Sequence, residues 1–109
     1  MIYIAIPYSH EDSNIRDMRA RLADAYAASL ISDGYIVYSP ISHWHHIAKE
    51  HLLPTDAEFW HKQNVFMLAA SHKLVVLMVP DWQESDGLQR EISYANEHGI
   101  PIEYIECLV

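Results

Sequence analysis

Residues 74–101 read LVVLMVPDWQESDGLQREISYANEHGIP, and one structural unit can be read from them. Residues 74–79 are six apolar residues in a row, rich in β-branched valine. A continuous rather than alternating run suits a strand buried on both faces of a parallel sheet. Pro80 and Asp81 break it. A helix is expected to start near Ser85–Gly87 and to end at Gly99, with Pro101 opening the next strand. Strand, helix and strand in this order form a parallel crossover unit.

Working outward, residues 2–6, 35–38 and 102–105 form three more short runs rich in β-branched or aromatic residues. Helical patterns lie between the runs. Over residues 14–32, Ile15, Met18, Leu22, Ala25, Ser29 and Leu30 recur at three-to-four spacing, and Gly34 stops the pattern. Thr55 and Glu58 in TDAE match a capping box, followed by a helix through Trp60, Asn64, Met67 and Leu68. The order is β-α-β-(short α)-α-β-α-β. This predicts an α/β fold: a flavodoxin/Rossmann-like three-layer sandwich with a parallel sheet of four to five strands. No linker or repeat divides the chain, so residues 1–109 are read as a single domain. In such sheets ligands bind beyond the carboxyl ends of the strands, where the strand order reverses. The segments PYSHED, SPISHWHH and PDWQESDG should lie there as loops.

Half of the residues are hydrophobic, enough to build a core. Fifteen acids against seven bases leave a formal charge of −8, which disfavours nucleic acid polymers as partners. A small anion held by backbone N–H groups stays compatible with that charge. Cys107 is the single cysteine, so no internal disulfide can form and a reducing, cytoplasmic setting is expected. No stretch reaches the ~20 apolar residues of a membrane span, so no membrane partner is expected.

Of the acids in 81–92, Glu91 is the sharpest candidate. It sits about one and a half turns into the predicted helix, above Gly87 and Leu88. Gly87 would let a ligand approach the first turn, Ser85 can cap the helix or bond a ligand oxygen, and the helix N-terminus adds donors. A carboxylate there could attack an anomeric carbon. Against this stands the ordinary solvated glutamate, which is what most acidic helix residues are.

Taken together, IYIAIPYSHED, GYIVYSPISHWHH and the stretch quoted first resemble the nucleoside 2-deoxyribosyltransferase-like superfamily. More closely, they are similar to its small members with a PYS…S-x-G…E signature, and also to its deoxynucleoside 5′-monophosphate N-hydrolases. The resemblance spans nearly the whole chain. Its most specific part is Ser85, Gly87 and Glu91. It implies cleavage of the N-glycosidic bond of a nucleoside or nucleoside 5′-monophosphate, by hydrolysis or deoxyribosyl transfer, through a covalent glycosyl-enzyme on Glu91. Tyr3 matches the tyrosine that hydrogen-bonds the nucleophile. Pro7, Tyr8 and Ser9 match the loop that contacts base and sugar. Full nucleoside transferases carry Asp where Ser85 stands, and the nucleotide hydrolases carry Ser. A hydroxyl accepts a 5′-phosphate where a carboxylate would repel it, though Asp86 next door restores a negative charge. Asn64 replaces the superfamily's base-binding Asp, and an amide can hold a base edge but cannot protonate it. His45 is the best match to a histidine after the Ser-Pro turn and could supply that proton. The resemblance implies no cofactor, a small-molecule nucleoside or nucleotide as partner, and a homodimer or larger homo-oligomer. A non-catalytic nucleotide-binding or sensing module of the same fold is the alternative.

His43, His45, His46 and His51 lack a recognised metal-ligand spacing, so no metal is expected. Among the aromatics, Trp60 and Tyr26 read as core. Tyr8, Trp44 and Trp82 fall on expected loops, where base stacking competes with packing.

Overall fold

The computed structural model describes residues 1–107 and contains four strands and four α-helices. In chain order these are β1 (Ile2–Ala5), α1 (Ser13–Ser32), β2 (Val37–Tyr38), α2 (Pro40–His51), α3 (Ala57–Ala69), β3 (Lys73–Met78), α4 (Asp86–Glu97) and β4 (Ile102–Glu106), with a 3-10 turn at Trp82–Glu84 before α4. The sheet order is β2-β1-β3-β4, and every pairing is parallel. The chain steps from β1 outward to β2, then crosses back over β1 to β3. The order therefore reverses between β1 and β3, which pair from Ile2 with Lys73 to Ala5 with Val76.

Alternation along the strands builds two cores. Ile2, Ile4, Ile6, Val75, Leu77 and Val79 face α1 and α2, whereas Tyr3, Ala5, Leu74 and Val76 face Leu68 of α3 and Leu88, Ile92 and Ala95 of α4. Trp60, near the start of α3, joins the first core. The protein is thus the three-layer α/β sandwich expected. Among the described residues, no helix is long and apolar enough to cross a membrane.

Four local expectations are corrected. The buried face of α1 is Arg19, Ala20, Ala23 and Ala27, while Ala25 and Ser29 are exposed. Small alanines let this helix lie close to the sheet, which a search for large apolar residues passes over. The strand expected over 35–38 is reduced to Val37–Tyr38, which pair with Ile2 and Tyr3 of β1. SPISHWHH is helix rather than loop: Ser39 accepts from the Ser42 amide at 3.4 Å and Pro40 occupies the first turn, a start signal for which Pro is well suited. The cap of α3 is Asp56, which accepts from the Phe59 amide at 3.2 Å, and not Thr55. The Thr55 carbonyl instead accepts from the Ser9 hydroxyl at 2.7 Å.

Candidate active site

At the strand-order reversal, the second core holds a carboxyl group. Glu91 points from the second turn of α4 towards β1 and is buried, with 7% exposure. Its Oε2 accepts from the Tyr3 hydroxyl, itself fully buried. Burial pushes the Glu91 carboxyl up to about 8, and the Tyr3 hydrogen bond opposes this only partly. Loss of hydration disfavours the charged form more than one donor restores it. The Tyr3 phenol is raised well above its ordinary value by burial first and by Glu91 second. Tyr38, on the neighbouring strand, is raised by the same two causes.

Glu91 opens onto a cavity of about 30 Å³ whose walls also include Tyr8, Ser9, Trp44, Thr55, Trp60, Asn64, Ser85 and Gly87. That volume suits a water or two. Residues 55–57 form one of its walls. The Ser9–Thr55 hydrogen bond fixes this segment, as does the Trp60 Nε1–H donated to the Pro54 carbonyl at 2.7 Å. Trp44 and Trp60 stack face to face, with centroids 4.4 Å apart and planes 2° from parallel. Two residues of these walls each carry a buried polar atom with no hydrogen-bond partner among the described residues: Trp44 Nε1 and Asn64 Oδ1.

Ser85 caps α4, accepting from the Leu88 amide at 3.3 Å. Its hydroxyl proton and the first-turn amides are then available at the cavity edge. The neighbouring Asp86 turns outward, its side chain 71% exposed and paired with Arg90 Nε at 3.1 Å. Gly87 serves packing first: a Cβ there would meet the Ala57 Cβ at 3.3 Å. Its lack of a side chain lets α3 and α4 start side by side, and the same residue lines the cavity beside Ser85 and Glu91.

Two expected site residues lie elsewhere. Pro7 is fully buried and takes no part in the cavity wall; it shapes the turn that leaves β1. His45 is also outside the cavity, because the helix that replaces the expected loop turns it towards α1. There its Nε2 lies 3.0 Å from Asp17 Oδ1, and its Nδ1 lies 2.5 Å from the Tyr8 hydroxyl. Lys49 closes on the same Asp17 at 3.0 Å. Burial lowers the His45 ring below its ordinary value, and Asp17 opposes this. Lys49 first, and His45 after it, hold the Asp17 carboxyl low. A neutral imidazole donating Nε2–H to Asp17 accepts the Tyr8 O–H at Nδ1. This network borders a second, open cavity of about 470 Å³ that shares Tyr8 and Thr55 with the first.

Of the aromatics, Trp60 is core as expected, and Tyr26 packs half-buried against the same core. Trp44 sits on a helix and is buried, and Trp82 is half-buried against Tyr104. Arg19 is a site residue that the sequence reading missed. It is buried and donates Nη1 to the Ser9 carbonyl at 3.2 Å and the Tyr8 carbonyl at 3.4 Å, fixing the loop after β1. Its spacing with Ala23 and Ala27, which places an arginine on a buried stripe, was the available signal.

The family described as Domain of unknown function (DUF1937) matches residues 1–106, so the chain belongs to that family. No curated protein matches the chain.

Proposed function

We propose that this member of the DUF1937 family is an N-glycosidase acting on a nucleoside 5′-monophosphate or nucleoside, with Glu91 as nucleophile. The observation that carries the reading is the buried Tyr3–Glu91 pair, opening onto a cavity at the strand-order reversal. The likeness of the Ser85, Gly87 and Glu91 pattern to 2-deoxyribosyltransferase-like enzymes supports it. So does the outward turn of Asp86, which pairs with Arg90 and takes that carboxylate away from Ser85.

In this scheme the wall formed by residues 55–57 moves outward to admit the substrate, since a bound nucleoside needs hundreds of cubic ångströms and the cavity has about 30. The ionised Glu91 attacks C1′. The glycosidic bond breaks, its electron pair leaves with the base, and the base takes a proton from water. A water molecule then attacks C1′, giving its proton to the hydroxide left when the base was protonated, the glycosyl–Glu91 ester bond breaks, and the carboxylate is restored. A second base in place of that water would make the reaction a transfer. Tyr3 favours the ionised nucleophile through its hydrogen bond. His45 acts at one remove, holding Tyr8 in the wall.

Incubation with separate panels of ribo- and deoxyribonucleosides and their 5′-monophosphates, with free base followed by chromatography, tests this. The wild type should release base, and Glu91→Gln should reduce release by at least about a thousandfold. The second reading is a binding or sensing module, favoured by Asn64, which offers no acid where the base would leave. Thermal stabilisation by a nucleotide without any base release would select it.

A further inference from the structure

A ligand-sized space lies outside the Glu91 cavity. The second, open cavity has a volume of about 470 Å³ and lies between the start of α1, the end of α2 and residues 52–55. Small-molecule sites span about 300–1,000 Å³. Its walls are cationic although the chain is acidic. Seven bases stand against fifteen acids in the sequence, yet two bases, Arg16 and Lys49, line this cavity against one acid, Asp17. Asp17 is already partnered: Lys49 Nζ lies 3.2 and 3.0 Å from its two oxygens, and His45 Nε2 lies 3.0 Å from one of them. Burial lowers the His45 ring, so it adds no charge near neutral pH. Arg16 supplies the positive charge left over. It is half-buried, donates Nη1–H to the His10 carbonyl, and has no acid partner among the described residues. A guanidinium carries five N–H donors, so this bond leaves most of its fork for a ligand.

Much of the remaining wall is apolar: Ala48 of α2, then Leu52, Leu53 and Pro54. Leu52 is 90% exposed and sits at φ 54, in the left-handed region that leucine rarely enters. Neither burial nor backbone preference favours a leucine there, whereas contact with an apolar ligand does. A single unpaired guanidinium beside an aliphatic wall is complementary to a monoanion with two planar oxygens and an apolar body. The Asp17 carboxylate, held ionised chiefly by Lys49, repels a second negative charge and so disfavours a phosphate ester, which carries nearly two. We infer that this cavity binds a small organic carboxylate, its oxygens on Arg16 and its apolar body against Leu52 and Leu53. Binding here is independent of the chemistry proposed for Glu91, which does not line this cavity.

Titration of the protein with hexanoate, acetate, hexanol and hexyl phosphate, followed through backbone amide shifts by solution NMR, tests this. Hexanoate should shift residues 13–17 and 48–55 saturably and leave 85–91 unmoved. It should bind at least about tenfold more tightly than acetate, because the longer chain buries apolar area. It should also bind at least about tenfold more tightly than hexanol, which has no charge for Arg16. Hexyl phosphate should bind no more tightly than hexanoate. Arg16→Gln should weaken hexanoate at least about tenfold and leave hexanol unchanged. Leu52→Asn, whose side chain tolerates the left-handed conformation, should weaken hexanoate at least about threefold and leave acetate unchanged. Melting temperatures verify that both variants fold, and the wild-type ligand series decides the matter if either does not. No saturable shift with hexanoate, shifts centred on 85–91, tighter binding of hexyl phosphate, or equal losses of hexanoate and hexanol in Arg16→Gln overturns the carboxylate site.

Discussion

At the scale of single residues, Glu91 is defined by its environment more than by its identity. With its carboxyl at about 8, about a tenth of it is ionised at pH 7. A nucleophile must be ionised, so base release should rise as pH rises and level off above about 8. Tyr3→Phe removes the donor that favours the anion. It should move that rise to higher pH and cut the rate at pH 7 by about 10- to 100-fold, the worth of one hydrogen bond to a charged group. A pH–rate profile that keeps its midpoint would refute the role given to Tyr3. The residues Ser85 and Glu91 were legible in the sequence because they share one strand-to-helix unit, where spacing fixes placement. Trp44 was not. Its orphaned Nε1 is a property of surroundings contributed by α2, α3 and the segment between them.

At the scale of elements, the start of α3 against the start of α4 sets the shape of the cavity. A Cβ added at Gly87 would lie 3.3 Å from the Ala57 Cβ, so a larger side chain there presses on α3. Gly87→Leu should force the two helices apart, cost about 1–3 kcal/mol as overpacking does, and weaken nucleotide binding. Denaturant unfolding and calorimetry measure the two effects, and unchanged stability would show that the contact is slack. The helical periodicities were readable, but their phase was less so. On α1 the alanine stripe outcompetes the larger residues because the helix needs close approach to the sheet. On α2 the Ser39–Pro40 start signal was present, yet the histidines that follow drew a loop reading. That one difference moved His45 out of the cavity, since a helix directs side chains by its turn and not by their nearness in sequence.

For the whole molecule, the raised Glu91 carboxyl links stability to pH. The folded state keeps a proton that the unfolded chain, at an ordinary value of 4.5, has lost. Between about 4.5 and about 8 the native protein therefore binds more protons, and its stability falls as pH rises through that window. Glu91→Gln removes this term. Its melting temperature should exceed the wild type's by more at pH 8 than at pH 5, and an equal difference at both would contradict a buried acid. The sequence by itself determined the α/β class, the parallel sheet and the end of it that carries the candidate site, because apolar runs, caps and stops are local features with fixed periods. The resemblance pointed to Tyr3 beside Glu91; only the tertiary structure decided that this pair is buried, that Tyr8 carries His45 and Asp17 behind it, and that Trp44 Nε1 and Asn64 Oδ1 are left without partners among the described residues. Burial and partnership are set by packing between distant elements, and no period in a single chain encodes them.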